Sequence, residues 1–378
     1  MKRKLIVVGP TPPPVHGVAV STESLIRALR SAGHLAAHLD TRDPRTRSNI
    51  GKFDLENVRL GLRHATELTA LIRRHPGAAV YVPISQSLWG FLRDSVLVSV
   101  ARLQRRPVYL HLHGGGFHDF YGRSGWIMRL VIRRVVSMAD QAWVLTPSLR
   151  RCFAGLMEKD RMRVVQNVVD DPLGDLRVKG GGSLEASASS DNPADRESQL
   201  RILFLSNLRP EKGCFELIDA LALLPRDVGA WRVRYVGAAD PKVEREMKLR
   251  LSRELPGDVS VELVGERTGR AKEDELRWAD VLAFPTLLPE GQPLVLLEAL
   301  GAGLPIITTR HGGIPETVRN EVEGLLLEPG DVAALAGALG RMASDPALRA
   351  RLGRNARLRY EECYRPERLN EELDRVLS

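Results

Sequence analysis

The chain has 378 residues, 43% of them hydrophobic, which is material for two packed cores, and no run of about 18 apolar residues that would cross a membrane. Its formal net charge of +8 is uneven: residues 1–175 hold 26 Lys and Arg against 14 Asp and Glu, a net +12, which leaves −4 for the rest. That imbalance points the first half at something anionic. Aromatic residues are 5% of the chain and do not alternate with basic ones, which argues against single-stranded nucleic acid; three scattered cysteines, Cys152, Cys214 and Cys363, argue against disulfides and a thiolate zinc site.

The opening "MKRKLIVVGP" has an apolar run of four residues, too short for a signal peptide, and reads as a first strand of a cytoplasmic protein. The loop "GPTPPPVHGVAVSTESL" follows it without a G-x-G-x-x-G, so no dinucleotide fingerprint is present. Helical patterns "VSTESLIRALRSAG" and "SLWGFLRDSVLVSVARL" then alternate with strand-like runs "AAVYVPI", "PVYLHLH", "QAWVLT" and "RVVQNVV". Strands alternating with helices predict βαβ units and a parallel sheet covered on both faces. In "PVYLHLHGGGF" the strand period places His111 and His113 on one face, with His113 nearest the glycine turn. A rival reading takes His111, His113, His118 and Asp119 as zinc ligands. The plain βαβ pattern around them favours no metal, and His111 reads as a core residue.

Residues 123–136, "RSGWIMRLVIRRVV", combine Trp126, Ile127, Leu130, Val131 and Ile132 with Arg129, Arg133 and Arg134, and "ARLQRRP" adds Arg102, Arg105 and Arg106. The pattern fits an ordinary helix with its apolar stripe in the core somewhat better than an interfacial amphipathic helix. The charge of the first half nonetheless favours docking on anionic lipid, at about 1 kcal/mol per basic residue near the surface. The stretch "KGGGSLEASASSDNPADRESQ" is Gly/Ser/Asp-rich and reads as a flexible linker.

After it the strand pattern restarts in "RILFLSN", "WRVRYVG", "VSVELVG", "DVLAFPT" and "LPIITTR". Two doubly wound α/β domains in tandem are expected, with ligands at the carboxyl ends of their strands. The loop "LRPEKG" sets Arg209 and Lys212 beyond a strand and before a helix, where a fork and a point charge would clamp phosphate; two solvated surface cations are the plainer reading. No D-x-D pair occurs, so protein cations rather than Mg²⁺ would neutralise a diphosphate. In "PEGQPLVLLEALGAG", Leu294 to Leu300 are apolar except Glu298, and Glu290 precedes the helix. A carboxylate in so buried a helix needs a partner, either an internal cation or the hydroxyls of a ligand. Two acceptors bracketing a helix start suit a nucleotide-sugar.

These segments resemble known ones. "PEGQPLVLLEA" resembles the E-x(7)-E motif of retaining GT-B glycosyltransferases, glycosyltransferase family 4, and "SNLRPEKG" resembles that family's phosphate-binding segment. "GAGLPIITTRHGGIPETV" and "EGLLLEPGD" are similar too, so the resemblance covers most of residues 200–335 and is looser before them. It implies Arg209 and Lys212 on the diphosphate, Glu290 on the sugar hydroxyls and Glu298 on the ribose. Backbone amides over Gly291, Gln292, Pro293 and Leu294 would touch sugar or phosphate, and His113 would contact the donor sugar. Gly17 carries over as a backbone contact where many members have two glycines; His16 is an acceptor contact or simply exposed. Gly312, Gly313 and Glu316 read as structural.

The expectation is therefore an α/β protein of GT-B type: two Rossmann-like doubly wound domains facing each other across a cleft. Residues 1–175 would form the acceptor domain, with a helix at about 364–378 crossing back to it; 176–200 the linker; 201–363 the nucleotide-sugar domain. The implied enzyme moves a sugar, with retention, from a UDP- or GDP-sugar to a saccharide or lipid-linked saccharide in exopolysaccharide, capsule or lipopolysaccharide assembly. His113, Glu290, Arg209 and Lys212 carry catalysis, without metal or cofactor and with no nucleic-acid partner. The basic half would rest on the inner face of the membrane. The alternatives are a sugar-nucleotide epimerase, a phosphorylase, or a non-catalytic partner subunit of the same fold.

Overall fold

A computed structural model describes residues 2–42, 55–174, 199–225, 229–255 and 259–378. Apart from Gln199 and Leu200, which open a strand, the expected linker lies outside the described residues. The contacts divide the chain into two compact units, one of Met1–Val168, Pro289–Pro293 and Pro366–Ser378, the other of Val169–Leu288 and Leu294–Arg365.

In the first unit the elements run β1 (Leu5–Gly9), α1 (Gly17–Ser31), β2 (Leu35–Asp40), α2 (Leu55–Arg74), β3 (Ala79–Ile84), α3 (Leu88–Leu103), β4 (Val108–Leu112), α4 (Phe117–Arg123), α5 (Trp126–Met138), β5 (Gln141–Val144) and β6 (Met162–Val164). The sheet order is β2-β1-β3-β4-β5-β6, every pair parallel. Strands β1 and β4 are buried along their whole length, because crossover helices cover both faces. Ile6, Val8, Val80 and Val82 face one layer, and Leu5, Val7, Ala79 and Tyr81 face the other.

Two expectations change here. "RVVQNVV" leaves the ladder after the Val165 N–H, which still donates to the Val144 carbonyl at 2.9 Å, since Gln166 and Asn167 beyond it make contacts of a different kind, described below. Strand β2, "LAAHLD", has no counterpart among the expected strands: it is a half-exposed edge strand built of Ala, His and Asp, residues with little strand preference. Helix α5 buries Ile132, Val135 and Val136 as an ordinary helix would, yet Trp126, Ile127 and Leu130 lie outside that stripe and are exposed.

The second unit runs β7 (Gln199–Leu205), α6 (Cys214–Ala222), β8 (Ala230–Val236), α7 (Pro241–Glu254), β9 (Val259–Gly265), α8 (Gly269–Trp278), β10 (Val281–Phe284), α9 (Leu294–Ala302), β11 (Ile306–Thr309), α10 (Ile314–Thr317), β12 (Gly324–Leu327), α11 (Val332–Ser344) and α12 (Pro346–Cys363). Its sheet order is β12-β11-β10-β7-β8-β9, again parallel. The order reverses between β7 and β10, and in the first unit between β1 and β3. Such switch points open a crevice at the carboxyl ends of the strands. The last helix, α13 (Pro366–Leu377), belongs to the first unit, where Leu369, Leu373 and Leu377 pack with Leu25, Ile26 and Leu29 of α1.

Candidate functional site

In the second unit the loops after β7 and β10 meet at the switch point. Arg209 precedes a single 3-10 turn, Pro210–Lys212, which closes when the Lys212 N–H donates to the Arg209 carbonyl at 2.9 Å. Gly213 then turns the chain into α6 with φ 83°, and a Cβ there would sit 2.0 Å from the Pro285 carbonyl oxygen, so only glycine fits. The Glu211 carbonyl accepts from the Leu287 N–H at 2.9 Å and the Thr286 hydroxyl at 3.3 Å, which ties the turn to the segment after β10. Arg209 is exposed and pairs with Glu211 at 3.2 Å; Lys212 Nζ lies 5.7 Å from the centre of the Phe284 ring. An exposed pair of this kind contributes at most about 1 kcal/mol.

Helix α9 buries Leu296, Leu297, Ala299 and Leu300 and still carries Glu298, whose side chain is 13% exposed. Its partner is Lys272 of α8, with Nζ 2.6 Å from Oε1. That ion pair is the internal cation the sequence left open, and Lys272 is a residue the sequence did not flag. Its helix reads only as amphipathic, and the two positions are 26 apart. Glu298 Oε2 has no hydrogen-bond partner among the described residues, so one carboxylate oxygen remains an unused acceptor.

In the first unit the glycine turn after β4 is shaped by a second piece of backbone. Gly114 forms an antiparallel bridge with Glu290, and the Gly115 N–H donates to the Pro289 carbonyl at 2.9 Å. A Cβ on Gly115 would lie 2.6 Å from that carbonyl oxygen, and one on Gly291 would lie 2.1 Å from the His113 carbonyl oxygen. The close approach Gly291 permits is therefore to His113, where the sequence suggested a ligand. These contacts explain why Pro289–Pro293 belongs with the first unit. Glu290 is thereby fixed beside the end of β4.

The Gln292 side chain is 3% exposed and committed: its Oε1 accepts from the Asn167 N–H at 2.7 Å, and the Gln292 carbonyl accepts from Asn167 Nδ2 at 2.9 Å. Asn167 is the second residue that sequence reasoning misses, because it lies inside a run that reads as strand. The neighbouring Gln166 N–H donates to Glu372 of α13 at 2.9 Å, and burial raises that carboxyl's pKa. Pro293 and Leu294 lead into α9. Gly17 opens α1 at the carboxyl end of β1; a Cβ there would meet nothing within 4 Å, and its φ is not left-handed. His16 has a third role that neither expectation covered: its Nδ1 caps α1 by accepting the Ala19 N–H at 3.3 Å. Gly312, with φ 63°, turns the chain between β11 and α10.

His113 continues beyond β4 on the face that carries His111, as the period implies. The Tyr81 hydroxyl stands 2.8 Å from His111 Nδ1 and 3.1 Å from His113 Nε2, and the imidazole centres are 4.2 Å apart. The hydroxyl has one proton, so it donates to one ring and accepts from the other, and both tautomers are set together. Burial lowers the His113 pKa from its ordinary 6.5 to about 4. Burial, then the neighbouring His113, pushes His111 well below the ordinary value as well. Burial also raises Tyr81, which stays protonated. A neutral His113 exchanges hydrogen bonds with hydroxyls and adds no positive charge; its Nδ1 is buried without a partner among the described residues. Among those residues no group of three or more His, Cys, Asp or Glu is placed to hold a metal ion.

Residues 187–359 match the family of glycosyl transferases group 1. The amylovoran biosynthesis glycosyltransferase AmsK of Erwinia amylovora is 33% identical over 155 residues, 39% of this chain and 37% of that protein. The MMP alpha-(1->4)-mannosyltransferase of Mycolicibacterium hassiacum is 34% identical over 260 residues, 61% of this chain and 58% of that protein. The chain thus spans from about a third to somewhat over half the length of these curated relatives. Among solved structures, a sucrose-phosphate synthase from Thermosynechococcus elongatus superposes with a TM-score of 0.75 at 19% identity, covering 99% of this chain and 98% of that one. Anabaena Alr3699/HepE in complex with UDP-glucose gives 0.72 at 18% identity, covering 99% of both chains.

Proposed function

We propose that this chain, which has the GT-B fold and is related to the glycosyl transferases group 1, is a retaining glycosyltransferase that moves a sugar from a nucleotide-sugar to a saccharide acceptor. The observation that carries the reading lies at the second unit's switch point. There a cationic turn is pinned by Gly213, and α9, which follows the neighbouring strand β10 in the chain, holds a paired carboxylate that keeps one oxygen available. In the proposal Arg209 and Lys212 hold the diphosphate, and Glu298 accepts from the ribose. Glu290 accepts from the sugar, and neutral His113 meets one of its hydroxyls. Negative charge grows on the diphosphate as the glycosidic bond breaks, and the two cations stabilise it more than the ground state, which is what accelerates the step. The leaving diphosphate then assists removal of the acceptor's proton.

The structure of HepE was solved with UDP-glucose, which makes a uridine donor the first to try. AmsK is described as an amylovoran biosynthesis enzyme, and a bacterial surface polysaccharide with a lipid-linked intermediate is the acceptor class we favour. No described helix is long and apolar enough to cross a membrane.

The test is a thermal-shift screen of UDP, GDP, ADP and their common sugars, followed by donor hydrolysis without acceptor. The reading expects a selective rise with one nucleoside diphosphate series and slow hydrolysis of its sugar. No shift with any nucleotide refutes it.

A further inference from the structure

Helix α5 turns an apolar corner outward: Trp126, Ile127 and Leu130 are 73%, 60% and 56% exposed, while its inner face is packed. The place of this corner follows from topology. Strands β4 and β5 are parallel neighbours, so the chain leaving the carboxyl end of β4 must travel back to begin β5. Helix α4 stays at that end and α5 makes the return, which puts the first turn of α5 near the carboxyl edge of the sheet. Helix α3 joins β3 to β4 in the same way, so Leu88 and Trp89, 44% and 42% exposed, start from the same edge. Phe91 of α3 packs on Phe117 and Phe120 of α4, which sets the start of α3 beside the helix that leads into α5. His113 and Glu290 occupy this edge too.

The charged residues of α5 itself are of one sign, while α4, which leads into it, carries the exposed Asp119. Helix α5 has no acidic residue, and Arg123, Arg129, Arg133 and Arg134 are exposed around the apolar corner. Arg129 and Arg133 lie against the Tyr121 ring, and among the described residues none of the four has a carboxylate partner. Exposed large apolar side chains rimmed by such arginines match the boundary between lipid headgroups and acyl chains, with phosphates above and hydrocarbon below. A corner of this extent is small beside the ~800 Å² that each partner of a stable dimer buries.

We propose that the outer face of α5, with the start of α3, docks on an anionic lipid bilayer, with Trp126, Ile127 and Leu130 entering the headgroup–acyl boundary. The docking surface lies at the same edge of the first unit as His113 and Glu290. This deepens the glycosyltransferase reading and rests on it for one purpose: it explains how a lipid-linked acceptor reaches that edge.

The test is vesicle flotation of the full chain without nucleotide, using phosphatidylglycerol/phosphatidylcholine and pure phosphatidylcholine vesicles. The wild type is expected on anionic vesicles and not on neutral ones. Replacing Trp126, Ile127 and Leu130 together by Ser is expected to weaken binding about a hundredfold without changing thermal stability, because all three are exposed. Arg123→Ser and Arg134→Ser are expected to weaken it about fivefold each at low salt. Equal partitioning of the wild type and the triple variant overturns the proposal, as does equal binding to neutral lipid. So does a wild-type dimer, seen by light scattering, that the triple variant abolishes. Vesicle binding in a protein with no transfer activity supports the docking surface and counts against the enzyme reading alone.

Discussion

His113 is held neutral by burial, and the consequence for stability can be worked out. Its pKa is about 4 in the folded protein and near 6.5 once unfolded, so the folded state binds the fewer protons between those values. The contribution is complete above pH 6.5 and is lost as pH falls towards 4. Between pH 7.5 and pH 5 the loss from this one group is about 2 kcal/mol. Replacing His113 by Gln removes the titration and keeps a polar side chain of similar reach. The stability gap between wild type and His113→Gln, measured by urea unfolding, should therefore shrink by about 2 kcal/mol from pH 7.5 to pH 5. The titratable neighbours are His111 and Tyr81. Tyr81 does not ionise in this range. His111 is present in both proteins, and removing His113 takes away one of the influences lowering its pKa, which moves the gap the same way. A gap that stays constant across the range refutes the reasoning.

Arg209→Ala and Lys212→Ala should each lower kcat by about 10²–10³ while leaving the urea midpoint unchanged; near-normal turnover in both removes the cationic turn from the mechanism. Gly115→Ala should cost about 1–3 kcal/mol and most activity, because its Cβ would press on the Pro289 carbonyl and shift Glu290. Gly17→Ala meets nothing within 4 Å, so its stability should stay within about 0.5 kcal/mol, and a rise in KM for donor would report a ligand at that helix start. Lys272→Met leaves Glu298 half of an ion pair and should lower stability by about 1–3 kcal/mol, a loss that circular dichroism melts would detect and that Glu298→Gln in the same chain should partly reverse.

Much of the architecture is legible in short buried runs such as "LIVVG" and "VYLHL", because a strand covered on both faces is apolar almost throughout. Strand β2 escapes notice for the converse reason. The turn "LRPEKG" and the acidic pair around α9 are local motifs whose residue types announce anion and hydroxyl chemistry. What pins them is not local. Asn167 and Gln292 are 125 positions apart, and neither has a partner in its own neighbourhood that would suggest the clamp. Glycines at 114, 115 and 291 signal close approach, but not what approaches; here it is the Gln86 side chain at Gly114 and backbone carbonyls at Gly115 and Gly291, rather than ligand. The outward corner of α5 is hidden in a similar way, since an apolar helix pattern does not say which part of it the rest of the fold leaves uncovered.

Central to the proposed function is that the second unit recognises an activated sugar by its diphosphate, through side chains alone. Calorimetric titration of UDP and UMP, each with and without EDTA, tests this on the wild type and on the Arg209→Ala, Lys212→Ala double variant. UDP is expected to bind far more tightly than UMP, EDTA to change neither, and the double variant to bring UDP down to the level of UMP. Equal affinity for the two nucleotides, or a double variant that binds UDP as the wild type does, would contradict it; if the thermal-shift screen selects another base, its own diphosphate and monophosphate take their place.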